Sequence, residues 1–261
     1  MSLAHILVIL QIAAAAAIIL IGSLAEAYGY GLSLGTSWPY RRDILRRALE
    51  ADPEAWHRTI ATTAGVNAVI LALLRRDTDT LSGLGLSAAT AVLGFATLNV
   101  LAGRAPAFLH GLHELLAYGS LCAYVSELLP HSPSLWGIIG RTAPLRVLLL
   151  VVFLGGMLAG QRGFKTSIGT FVVPRTKGQW VFIVHLVGWL LLLLTLAYSL
   201  ESSSVAFFLA LLQVLVGFGL YQSVNSHPGR PGILALFHQA IALLIFFSLM
   251  FAWEIRVSFL G

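Results

Sequence analysis

Histidine and glutamate are the side chains through which this chain could do chemistry, and four of its eight histidines sit in matched settings. His57 stands three residues after Glu54 in "EAWHR", a spacing that puts both on one face of a helix. His113 and His238 each follow a proline by seven residues, in "PAFLHGLH" and "PGILALFH". His185 interrupts the apolar run "QWVFIVHLVGW". Neutral imidazoles ligate metals, and a carboxylate beside one can accept or supply a proton. Ionisable groups inside apolar runs are costly, and where they occur they face the interior of a bundle. His5, His131 and His227 fall at segment ends and read as ordinary interfacial residues.

The elements that must position these side chains are membrane helices. Of 261 residues, 58% are hydrophobic and 10% are charged, against about 25% charged in a soluble domain. Lipid is therefore the expected solvent for much of the surface. The net charge of +5 comes from basic residues between apolar runs, which suits lipid headgroups and argues against nucleic acid as a partner. A single cysteine, Cys122, excludes an internal disulfide and any Cys-built metal cluster, and reads as an inert buried thiol. A membrane-spanning helix needs roughly 20 apolar residues. Eight segments qualify: 4–28, 54–75, 81–103, 106–129, 145–163, 178–199, 203–222 and 231–256. The opening "MSLAHILVIL" lacks a basic stretch before its apolar run and reads as a retained first helix. The expected class is all-α and integral to the membrane.

An internal repeat organises these segments. "GSLAEAYGYGLSLGT" from Gly22 aligns without gaps on "GMLAGQRGFKTSIGT" from Gly156, an offset of 134. "PAFLHGLH" from Pro106 aligns on "PGILALFH" from Pro231 at an offset of 125. The chain thus reads as two tandem pseudo-symmetric four-helix bundles, residues 1–130 and 131–261. Four crossings per unit make the repeats parallel, related by an axis along the membrane normal.

Within that repeat His57 pairs with His113, and His185 with His238, at similar depths from one face. A histidine pair facing across a four-helix bundle can give a haem iron its two axial ligands. Zinc or copper is disfavoured at the second pair, which no carboxylate or thiol cluster joins. A hydrogen-bonded packing role is the alternative for any single membrane histidine. Asp52 as N-cap and Pro53 at the first helical position should start the helix that carries Glu54. Glu54 then either complements the helix N-terminus or serves as a carboxylate near a haem edge. The second half has no "E-x-x-H", so one haem reads as cofactor and the other as substrate. His110, matched by Ala235, reads as a packing or propionate-contacting residue.

These residues resemble the haem A synthase family over nearly the whole chain. The resemblance rests on "GTSWP…EAWHR", the proline-led "HE" of the fourth segment, "FLGGMLAG" and "PGILALFHQAIALL". It implies an integral membrane oxidoreductase that oxidises the C8 methyl of haem O to a formyl group through hydroxylated intermediates, for cytochrome oxidase assembly. It implies that His185 and His238 ligate a resident haem b, and that His57 and His113 hold the substrate haem. Glu54 falls on the family's catalytically important acid. The implied partners are haem O, the synthase that makes it and an electron donor, with self-association left open.

The departures are specific. Many family members carry paired cysteines in the outer loops, and this chain has none there. Leu186 follows His185, where Arg58 gives the commoner "HR" after His57. The basic residues would place the long loops in the cytoplasm by the positive-inside rule. The resemblance instead implies long loops outside the cytoplasm, with both termini cytoplasmic, and the compact length and short termini suit a prokaryotic cell membrane. Arg41, Arg42, Arg46, Arg47, Arg162 and Lys165 are then candidate propionate partners. Three other functions use the same histidines: a two-haem b-type cytochrome relaying electrons, a haem-binding or transport protein without chemistry, and an inactive paralogue that holds haem b.

Overall fold

The computed structural model describes residues 2–39, 42–129 and 134–260. His131 and Arg41, both singled out in the sequence, lie outside the described residues. Every regular element among the described residues is helical. In chain order these are α1 (Leu3–Ala27), α2 (Ile44–Leu49), α3 (Pro53–Arg75), α4 (Thr78–Leu101) and α5 (Phe108–Ser126), followed by α6 (Leu135–Arg141), α7 (Ala143–Arg162), α8 (Lys177–Tyr198), α9 (Leu200–Ser226) and α10 (Leu234–Leu260).

Seven of these, all but α2, α5 and α6, are long and apolar enough to cross a membrane. Their outward faces are what lipid requires: Leu215 and Phe218 on α9 are 71% and 65% exposed. The expected eighth crossing corresponds to α5, which is 19 residues long and carries His110, His113 and Glu114. It is the most enclosed helix, with every residue from Tyr118 to Ser126 buried. Its neighbours are α1, α4, α6, α7 and α10.

Local sequence sets the helix ends. The Asp52 carboxylate accepts from the backbone N–H groups of Glu54 and Ala55, and Pro53 opens α3 as expected. Thr176 and Gln179 form a reciprocal capping box at the start of α8. Gly29 and Gly163 leave α1 and α7 in the left-handed region at φ 76° and 56°. Gly35 and Gly169 repeat that conformation six residues later. The glycine register read from the sequence repeat is therefore a backbone requirement in both halves.

Packing closes two rings: α1, α3, α4 and α5 meet in sequence, and so do α7, α8, α9 and α10. The rings join because α5 packs on α7 and α10 packs on α1. The core at this seam holds Tyr118, Leu121, Cys122, Leu148 and Phe246. Cys122 is buried there against the Met250 sulfur at 3.6 Å.

Candidate functional site

Each of the four histidines sits on the second helix of an adjacent pair and points its ring at a glycine on the first. A Cβ on Gly22 of α1 would lie 3.3 Å from the His57 ring, and one on Gly94 of α4 would lie 3.5 Å from His113. The corresponding approaches are 3.3 Å from Gly155 of α7 to His185, and 3.2 Å from Gly217 of α9 to His238. At Gly22, Gly155 and Gly217 a Cβ would press on the imidazole, while at Gly94 it would only touch it. At three of the four sites, the residue one helical turn before the glycine turns its backbone to the histidine. His57 Nδ1 lies 3.0 Å from the Ile18 carbonyl, and His113 Nδ1 lies 3.0 Å from the Thr90 carbonyl. A carbonyl only accepts, so both rings carry their proton on Nδ1 and keep a lone pair on Nε2.

The C-terminal pair follows the same plan with two differences. Val151, one turn before Gly155, faces His185, while Gln213, one turn before Gly217, donates from its side chain to the His238 carbonyl. His185 Nε2 accepts a hydrogen bond from the Trp189 indole at 3.1 Å. Within each pair the two histidines are electrostatic neighbours. All four line one cavity of about 1130 Å³ whose walls come from both rings. The repeat alignment pairs Gly22 with Gly156, but Gly155 takes the histidine-facing place and Gly156 packs against Gly111 and Glu114 of α5.

Glu54 also lines the cavity, 5% exposed, and its carboxylate is heavily committed. The Leu34 backbone N–H donates to Oε2 at 3.0 Å, and the Ser33 hydroxyl lies 2.9 Å from the same oxygen. Arg58 bridges to Oε1 and donates to the carbonyls of Gly35 and Ser37. Together Glu54 and Arg58 clamp the loop after α1 onto the mouth of α3.

The expected propionate partners are placed unevenly. Arg46 pairs with Glu50 and Arg47 with Asp43, both away from the cavity wall. Arg42 and Lys165 are exposed. Arg162 does line the cavity, where it pairs with Glu26 at 2.7 Å and donates to the carbonyls of Thr166 and Pro228. Arg58, which was not among the candidates, lines it too. His227 caps the end of α9 and is exposed, and His5 stands in the first turn of α1.

Among the described residues no three His, Cys, Asp or Glu side chains converge as a metal centre. The geometry offers imidazole pairs instead, which suit a metal that brings its own equatorial ligands. Comparison with known proteins returns no match: no family model, no curated protein and no solved structure.

Proposed function

We propose that this chain is a haem-dependent membrane oxidoreductase of the haem A synthase type, acting on haem O. The observation that carries the proposal is the convergence of four histidines, as two repeat-related pairs, on one cavity. In this reading α5 is the eighth crossing, and residues 1–130 and 131–261 are two tandem four-helix bundles. His57 and His113 hold the substrate macrocycle, and His185 and His238 ligate haem b. The long connections lie outside a prokaryotic cell membrane with both termini cytoplasmic. A haem O synthase and an electron donor are the proposed partners.

The residues fit a bis-histidine porphyrin on three counts. The Nε2 lone pairs of His57 and His113 are left for a ligand by the Nδ1 contacts. The buried Nδ1 atoms of His185 and His238 have no hydrogen-bond partner, so neither nitrogen is committed to a competing group. The cavity slightly exceeds the 300–1,000 Å³ or so of ordinary ligand pockets. Ligation through His185 Nε2 requires the Trp189 hydrogen bond to be given up. When bound, haem supplies one-electron redox chemistry that no side chain here has. The chain's own residues orient the imidazoles, exclude water with apolar walls and hold the Glu54–Arg58 pair at the mouth.

A second reading, a two-haem cytochrome that relays electrons, draws support from Glu54, whose oxygens are already engaged by Arg58, Ser33 and Leu34. Extraction and chromatography of haem from cells co-expressing this chain and a haem O synthase separate the two. Haem A, or its hydroxylated precursor, is expected only when the chain is present. Folded protein yielding haem b and unconverted haem O alone, with a competent electron donor supplied, would contradict the synthase reading.

A further inference from the structure

Two side chains on the cavity wall have no part in the scheme above. His110 and Glu114 lie one turn apart on α5, with His110 Nε2 3.9 Å from Glu114 Oε1. His110 is 6% exposed, packs edge-on against Phe164, and has no partner for its Nδ1. Glu114 accepts no hydrogen bond among the described residues. Its side chain is accommodated because position 156 is glycine, where a Cβ would lie 2.7 Å from Glu114 Cγ. Both residues line the cavity alongside His113.

Its surroundings distinguish Glu114 from the other acids on the cavity wall. Glu54 is engaged by three donors, and Glu26 is paired with Arg162. The repeat places Ala235 opposite His110 and Gln239 opposite Glu114. Gln239 donates to the Tyr118 hydroxyl at 3.0 Å and so is already used. The first ring therefore has a carboxyl–imidazole pole with hydrogen-bonding capacity to spare, and at the matching positions the second ring has Ala235 and the already engaged Gln239.

The chemistry of the pole selects its ligand. A carboxylate accepts, and a neutral imidazole donates from one nitrogen and accepts at the other. A ligand carboxyl beside Glu114 would put two acids together in a low-dielectric cavity, where both cannot ionise. An apolar substituent would leave both groups unpaired, which a buried site penalises strongly. A hydroxyl satisfies both, giving its proton to one group and accepting from the other.

We propose that His110 and Glu114 form a recognition site for a hydroxyl-bearing substituent of the macrocycle held by His57 and His113. This rests on the assignment of that cavity to a histidine-bound macrocycle. Haem O carries a hydroxyl on its alkyl substituent where haem b has a vinyl group, so the pole favours haem O. Discrimination between the two is thereby built into α5.

The test is equilibrium titration of detergent-purified protein with haem O and, separately, with haem b, followed by absorbance. Wild type, Glu114→Ala, Glu114→Gln, His110→Phe and His57→Ala are compared. Wild type should prefer haem O. Glu114→Ala and His110→Phe should weaken haem O by about tenfold or more while leaving haem b bound as tightly as in wild type or more tightly. Glu114→Gln, which keeps the volume and an acceptor, should retain part of the preference. Unchanged discrimination in the Ala and Phe variants would overturn the proposal, as would equal weakening of both haems with the remaining haem spectrum intact. If His57→Ala binds both haems like wild type, the assignment of this cavity to a histidine-bound macrocycle fails instead.

Discussion

At the scale of single residues, the cavity-lining positions were legible where the repeat exposed them and hidden where partners are remote. His113 and His238 stand out because they recur in register after a proline, and His57 and His185 because each breaks the apolar character of the corresponding helix in its half. The glycines that face them do not, since glycine is common in membrane helices and its neighbour belongs to another helix. Glu54 was visible as an acid at a helix start, but its Leu34 and Ser33 contacts come from a loop some 20 residues earlier. Those contacts make a prediction. Arg58 and Glu54 are 10% and 7% exposed at the side chain, so removing one partner strands the other. Glu54→Ala should cost about 3 kcal/mol of stability, and Glu54→Ala with Arg58→Leu should recover part of it. Thermal or chemical unfolding in detergent checks both, and a single variant as stable as wild type would show that the clamp contributes nothing.

At the scale of elements, all eight long helices begin and end within a few residues of the segments read from hydropathy; for seven of them lipid exposure forces long unbroken apolar runs, and for α5 burial among its neighbours does. The short helices α2 and α6 were missed. Each is a single amphipathic stretch inside a connection, fixed by burial of Ile44 and Ala48 in one case and Leu135 and Ile138 in the other. The turn between α3 and α4 shows how such connections are held. Burial pushes the Asp77 carboxyl up. Donors outweigh it, among them the Thr80 backbone N–H, Glu127, the Thr80 hydroxyl and Arg75, and hold it down at about 2 against an ordinary 3.8. A depressed carboxyl adds stability above its unfolded value and loses it as pH falls through its folded one. Asp77→Asn should therefore lower the melting temperature at pH 7, and the gap to wild type should close as pH falls from about 4 to about 2. A gap independent of pH would mean that the cap, and not the charge, is what matters.

At the scale of the whole molecule, two similar rings differ in what they present to one cavity. Both present a histidine pair backed by glycines. Only the first adds Glu54 with Arg58 and the His110–Glu114 pole. The Glu26–Arg162 pair ties α1 to α7, so the rings are cross-linked beside the cavity as well as through the apolar seam. This asymmetry on a symmetric frame is what the proposed division into a substrate site and a cofactor site would use, and its mark in the sequence is the missing second "E-x-x-H". The measurement that tests the central claim most directly is the absorbance spectrum and haem content of purified wild type beside His185→Ala and His238→Ala. Wild type should show a low-spin, bis-histidine b-type haem, and either substitution should abolish that signature in protein that remains folded. A folded wild type without haem, or either variant with an unchanged spectrum and haem content, would contradict the account.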